Sequence, residues 1–420
     1  MRIRVEGKHA LNGSYRPAGS TNAAMALLAA ALLTDKPVTL HNVPQTTNMQ
    51  AMRTVAERLG ATLSTPTSDA LTIRAEHLTL RTLTEADTNG LVGMMLFLPA
   101  MLTRRQYIRI EFDFPLNRIR THLEALRDLG QEVSAANGAL ECKAQPWTRK
   151  EITLIQTSVT ATAVVLMLAA RLGKETIIHN AACEPHVQEL AHLLCEMGAH
   201  IEGIGSNALR VISPPELSGA EATLGPDIIE AASIAAIVAM SGGRAQIDGV
   251  RRAELPMITK TYKQLGIGLD CDEQVIFVPK HETLTLSDRE EDTDLSIESA
   301  PWPAFPSDLA AIATVIATQA RGSVLIHEKL FNNRLLFVDK LKAMGAQIVL
   351  CDPHRAIVVG ATPLHAIYMD TPDVRAGLGM LGAALIARGT SVIDNAQVIE
   401  RSFAGVLGKL QALGAKITIE

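Results

Sequence analysis

One short pattern returns six times along this chain: AERLGATLS, LRDLGQEVS, LCEMGAHIE, YKQLGIGLD, LKAMGAQIV and LQALGAKIT. Their shared glycine falls at Gly60, Gly130, Gly198, Gly266, Gly345 and Gly414, at intervals close to seventy residues. Self-similarity at a fixed period restricts a fold strongly, because every copy has to bury the same face in the same way. Locally the pattern spells a helix stopped by a left-handed glycine cap, followed by a strand of alternating apolar residues. Each copy is also accompanied by a small-residue apolar segment: TNAAMALLAAALLT, GLVGMMLFLPAMLT, TATAVVLMLAARLG, EAASIAAIVAMSGG, DLAAIATVIATQARG and VRAGLGMLGAALIARG. These are apolar nearly all round, so they are expected to be helices buried inside their own domain. Strands such as VTLHNVP, ETIIHNA, RAQIDGV, SVLIHEK and TSVIDNA follow most of them. The expectation is an α/β chain of six βαβ-type units.

At 420 residues the chain exceeds what one hydrophobic core usually serves, and three units per domain is the natural partition. The first domain is expected over 19–226, and the second over 1–18 and 227–420. The opening strand MRIRVEG has no partner in the first unit and is expected to complete the last unit's sheet. The chain then crosses twice between domains, and a ligand cleft between them is expected.

Composition removes several classes. Lys and Arg total 39 against 44 Asp and Glu, and aromatics are 3%, which argues against nucleic-acid binding, including an RNA-end-modifying enzyme built on related units. The five cysteines show no C-x-x-C spacing, which suggests free thiols in a reducing compartment and no zinc site. The N-terminus lacks a signal-peptide core, and the longest apolar run, Ala23 to Leu33, is too short to span a bilayer. A cytoplasmic monomer with no metal and no organic cofactor is expected.

The candidate polar residues gather at the starts of the apolar helices: Ser20 and Thr21 before Asn22, Ser158 before Val159 and Thr160, Asp227, Ser307 with Asp308, and Asp373. Each on its own reads as a helix cap. Several helix N-termini aimed at one place would also attract phosphates or carboxylates. Arg118, Arg120, Arg334, Arg375 and Arg401 sit at the same seams; singly they read as solvated charges, together as a clamp for a dianion. Asp308, after the Pro-rich stretch WPAFP, is equally readable as a cap or as a base. In IEFDFPLNRIRT, Asp113 is either a proton carrier above a gripped anion or part of a turn.

With these strings in order (GSTNAA, SVTATA, HNAACEP, GPDIIEAAS, APWPAFPSDLAA, FNNR, MDTPDVRAG and IERSF) the chain resembles the enolpyruvyl transferase family along essentially its whole length. The resemblance implies two similar domains of three repeated units, an inside-out α/β barrel type. It also implies a reaction that joins phosphoenolpyruvate to a hydroxyl of a nucleotide sugar, such as the UDP-N-acetylglucosamine of peptidoglycan synthesis, and releases phosphate. By resemblance Asp308 takes the base position with Asn22 and Asp373 nearby, Arg334 and Arg375 hold the carboxylate, Arg401 holds the phosphate, and Arg118 helps from the first domain, while Arg120 is a candidate to compensate for cations the chain lacks. Ser158, Val159 and Thr160 fall at a substrate-binding position, and residues 111–120 form a lid with Asp113 as the acid.

The sequence departs from the family at that lid, where a cysteine is usual; no cysteine precedes Cys142. Thr21 and Gln156 stand where the family has lysines, and TNGLVGMM carries no arginine. A charge-assisted hydrogen bond is worth about 1.5 to 3 kcal/mol, so these losses keep a second reading open: a non-catalytic paralogue that binds an anionic nucleotide or sugar.

Overall fold

The computed structural model describes residues 1–88, 91–287, 295–371 and 373–420. Asn89 and Gly90 of TNGLVGMM and Pro372 of MDTPDVRAG lie outside the described residues. The chain forms two compact units, Gly19–Gly225 and Met1–Ala18 with Pro226–Glu420. Pro226, assigned to the first domain from the sequence, falls in the second unit.

All six repeat glycines adopt the left-handed conformation, with φ between 83° and 110°. Gly60 shows why no other residue serves there: an added Cβ would lie 2.3 Å from the His77 carbonyl oxygen. The helices they close include Thr47–Leu59, Pro185–Glu196 and Pro256–Gln264, and the strands that follow include Thr62–Ser64, His200–Glu202 and Asp270–Cys271.

Among the described residues each unit carries three sheets of the same design. A strand runs into a central helix and then a parallel strand, and after an outer helix two further strands add antiparallel. In the third repeat Trp147–Thr153 pairs parallel with Gly173–His179, which pairs antiparallel with Ala208–Ile212. The N-terminal strand Ile3–Glu6 lies between Thr390–Asp394 and Lys416–Ile419, with Ile3 opposite both Ile393 and Ile419. Asn12–Tyr15 likewise pairs parallel with Arg244–Asp248, and Ala220–Thr223 with Val38–His41. Each unit therefore closes on a strand taken from the other end of its own sequence.

The apolar segments are the central helices Thr21–Ala31, Leu98–Arg105, Val159–Ala169, Ile228–Met240, Ala310–Gln319 and Val374–Ile386. The second differs from the continuous helix expected: Val92–Phe97 is a 3-10 turn, and the α-helix begins only at Leu98 because Pro99 is tolerated in a first turn but not mid-helix. Ile228–Met240 buries Ala, Ile and Val on every side, and each fully buried Ile contributes about 1.5 to 3 kcal/mol. In the second unit the central helices pack so closely that a Cβ on Gly382 would meet Ile237 Cγ1 at 3.0 Å and Ile312 Cδ1 at 3.3 Å. Each unit has its own hydrophobic core. Among the described residues no helix is long and apolar enough to cross a membrane.

Candidate active site

In the second unit the carboxylates of Asp227, Asp308 and Asp373, each at the start of a central helix, act on one guanidinium, that of Arg375. Asp227 caps Ile228–Met240 by accepting from the Ile229 and Glu230 N–H groups at 3.0 Å. Asp373 caps Val374–Ile386 by accepting from Arg375 N at 2.8 Å and Ala376 N at 3.0 Å. The third helix, Ala310–Gln319, starts through the 3-10 turn Ser307–Leu309, and neither Ser307 nor Asp308 caps it. The cap reading of that pair is thereby corrected. Pro306 occupies the cap position, the Ser307 hydroxyl donates to Glu328 Oε2 at 2.7 Å, and the Asp308 carboxylate is drawn to two arginines.

Arg334 Nη1 lies 2.8 Å from Asp308 Oδ1, and Arg375 Nη2 lies 3.0 Å from Asp308 Oδ2. Burial alone would push Asp308 up; the charges of Arg375 and Arg334 and their hydrogen bonds outweigh it and hold the carboxyl well below the usual carboxylate range. Burial would likewise weaken the charge on Arg375, but Asp308, Asp227 and Asp373 together raise its pKa. Asp227 moves up, because burial outweighs the attraction of Arg375. Arg375 stacks on Phe403, with 5.2 Å from guanidinium carbon to ring centroid, and Arg334 stacks on Phe331 at 4.3 Å.

One donor in this cluster is unused. Among the described residues Arg375 Nη1 is buried without a hydrogen-bond partner. A buried guanidinium N–H left idle is costly, so the site is built to receive an acceptor. Two guanidiniums, one with an idle donor, converge on the Asp308 carboxylate, an arrangement with the chemistry to hold a small anion.

The other expected residues are less tightly held. Arg401 ends the 3-10 segment Ala396–Arg401, is exposed, and forms no ion pair among the described residues. In the first unit Ser158 caps Val159–Ala169 and accepts from Ala161 N at 3.3 Å, while Thr160 Oγ1 lies 2.9 Å from His122 Nε2. His122 is fully buried, and burial pushes its pKa down to about 4, so it is neutral. Asn22 stands in the first turn of Thr21–Ala31, whose cap is Ser20, and Thr21 is buried. Gln156 is exposed.

Asp113 is exposed between two buried rings, Phe112 and Phe114, which stack with centroids 4.7 Å apart. Arg118 lies 5.2 Å from the Phe114 ring, and Arg120 opens the helix Arg120–Asp128; both are exposed. The sequence reading passed over His122, the Phe331 and Phe403 platforms and Glu328. The aromatic residues lie inside FNNR, three positions before Arg334, and inside IERSF, two after Arg401, although Phe403 stacks with Arg375. Among the described residues no His, Cys, Asp and Glu group could hold a metal ion.

Comparison with known proteins agrees with this fold. The family model for EPSP synthase (3-phosphoshikimate 1-carboxyvinyltransferase) matches residues 5–410. A UDP-N-acetylglucosamine 1-carboxyvinyltransferase of Bradyrhizobium diazoefficiens is 39% identical over 417 residues, covering 98% of this chain and 96% of the relative. One of Borreliella burgdorferi with the same name is 36% identical, covering 98% and 97%. Among solved structures, the enolpyruvyl transferase NikO from Streptomyces tendae superposes with a TM-score of 0.87 at 20% identity, covering 99% of this chain and 98% of its own. An EPSP synthase from Acinetobacter baumannii gives 0.76 at 15% identity, covering all of both chains. The chain belongs to the enolpyruvyl transferase family and has its two-unit inside-out α/β fold.

Proposed function

We propose that the protein transfers the enolpyruvyl group of phosphoenolpyruvate to a hydroxyl of UDP-N-acetylglucosamine, with release of phosphate. The observation that carries this reading is the Arg334–Asp308–Arg375 cluster with its idle buried Nη1, a receptor for a small carboxylate. The names of the relatives support the choice of donor and acceptor.

In this reading the phosphoenolpyruvate carboxylate takes up the donors of Arg375 and Arg334, and Arg401 meets the phosphate. Their charges being partly neutralised, Asp308 loses what depresses it and its pKa climbs toward that of a useful base. The steps balance. C3 is protonated, with Asp113 as donor, and the sugar hydroxyl oxygen bonds to C2 as Asp308 takes its proton. Phosphate then leaves C2 with the proton held by Asp308, and a proton from C3 returns to Asp113, which restores the vinyl group and both carboxyl groups. Asp373 stands with Asp308 and Asp113 among the catalytic residues, Asn22, Arg118, Arg120, Ser158, Val159 and Thr160 orient the substrates, and residues 111–120 act as the lid. The enzyme works as a cytoplasmic monomer on small molecules, with no nucleic-acid partner.

The test is phosphate release from phosphoenolpyruvate in the presence of UDP-N-acetylglucosamine, with formation of the enol ether followed by mass spectrometry. Tight binding of a nucleotide sugar without release would instead favour the non-catalytic paralogue, a reading drawn from buried Thr21 and exposed Gln156 at lysine positions. Fosfomycin, which alkylates the lid cysteine in the family this chain resembles, should leave the protein unlabelled and turnover unchanged. A covalent adduct of any cysteine with loss of activity would contradict the assignment of Asp113 to the lid.

A further inference from the structure

The loop that carries Arg334 is anchored in the core at its far end by the buried Leu335, but its near end has little apolar packing to hold it: Leu330 and Phe331 are 41% and 49% exposed. A guanidinium meant to meet a substrate within tenths of an ångström needs firmer support than that. Immediately before the loop, at the end of the strand Ala320–His327, stands Glu328, which is fully buried. Its Oε1 accepts from the N–H groups of Leu330 at 2.8 Å and Phe331 at 3.1 Å. Its Oε2 accepts from the Ser307 hydroxyl at 2.7 Å. Its own backbone is fixed on both sides by His354: the Glu328 N–H donates to the His354 carbonyl, and the Glu328 carbonyl lies 2.8 Å from His354 Nδ1. Among the described residues no cation pairs with it, so three hydrogen-bond donors compensate the buried carboxyl.

The two segments it grips are the ones that matter. Ser307 precedes Asp308, and Phe331 is the ring on which Arg334 stacks. We propose that Glu328 is a positioning residue that fixes Asp308 relative to Arg334 by bridging the two segments that carry them. This deepens the proposed transfer reaction and rests on it for its kinetic readout. Glu328 touches no substrate; it acts through the geometry of the two residues that do.

Shape and charge can be separated. In Glu328→Gln the amide oxygen still accepts from both backbone N–H groups, and the amide nitrogen donates to the Ser307 oxygen, so the bridge survives. Glu328→Ala removes it. With purified protein, phosphoenolpyruvate and UDP-N-acetylglucosamine, Glu328→Gln should stay within about threefold of the wild-type kcat/KM, while Glu328→Ala should lose about a hundredfold. The loss should appear in kcat and in KM for phosphoenolpyruvate, with KM for the nucleotide sugar unchanged. A merely structural role would lower the active fraction and leave both KM values alone, and that result overturns the proposal. Should Glu328→Ala not fold, Ser307→Ala carries the test, with the loss confined to kcat; wild-type kinetics there would overturn it. A crystal structure of Glu328→Ala decides the matter independently of turnover: an unmoved 330–336 loop with the Asp308–Arg334 contact intact refutes the bridge. Wild-type protein that releases no phosphate would defeat the transfer reading alone and leave this structural readout standing.

Discussion

Asp308→Ala is expected to move binding and turnover in opposite directions. Asp308 occupies donors of Arg334 and Arg375 at 2.8 and 3.0 Å, and so competes with any incoming carboxylate. Removing it frees both guanidiniums. A charge-assisted hydrogen bond is worth about 1.5 to 3 kcal/mol, so phosphoenolpyruvate should bind about tenfold more tightly, or better. Yet the variant has lost the group that takes the hydroxyl proton, and loss of a general base typically costs 10²- to 10⁴-fold. Calorimetric titration of the variant should give the lower Kd, and phosphate release should fall by about a thousandfold. Weaker binding would mean that Asp308 organises the arginines and does not compete for them. Unchanged turnover would remove it from the chemistry.

The same pair explains what the sequence could convey. Asp308, Arg334 and Arg375 were each visible as polar residues at the seams of the repeat, because a helix start in a buried, apolar unit leaves few places for a charge. Their convergence was an expectation, but the direct pairing of Asp308 with both arginines was not visible, since it depends on how the central helices of one unit are set by contacts such as Gly382 against Ile237. The repeat itself was fully legible. Gly60 and its five counterparts demand a left-handed backbone, and that demand is written in one letter. What misled was local chemistry with two outcomes. Ser307 and Asp308 have the residue types of a cap, but Pro306 already fixes the turn, and Glu328 and the arginines compete for their side chains more strongly than the helix N–H groups do. Glu328 was hidden for a related reason. In SVLIHEK it reads as the polar end of a strand, and only the fold reveals that the strand ends in the protein interior.

Lys409→Met should destabilise the protein in a manner that depends on pH. Glu230, in the first turn of Ile228–Met240, is completely buried, and burial pushes its pKa up to about 7 even though Lys409 and the Tyr15 hydroxyl hold it down. Lys409 and Tyr15 both donate to its Oε1, and Asp227 adds a nearby negative charge. Ala18 N approaches Oε2 at 3.4 Å, and Asp227 N donates to the Ala18 carbonyl at 2.8 Å, so this carboxyl lies where the chain enters and leaves the unit. A folded pKa above the unfolded one means that Glu230 favours the folded state fully below about 4.5 and loses that contribution as pH rises through about 7. Without Lys409 the folded value climbs further, and the loss extends to higher pH. At pH 8 the variant has to keep the carboxyl protonated or carry an unpaired buried charge, a cost of about 3 kcal/mol; at pH 5 the carboxyl is already protonated in both proteins and little is lost. Thermal melts at the two pH values should show a drop of several degrees at pH 8 and almost none at pH 5. Adding Glu230→Gln to Lys409→Met removes the charge and should recover most of the deficit at pH 8. An equal loss at both pH values, or no recovery in the double variant, would mean that Lys409 acts only through the packing of its methylenes against Tyr15, whose ring centroid lies 5.1 Å from its ammonium.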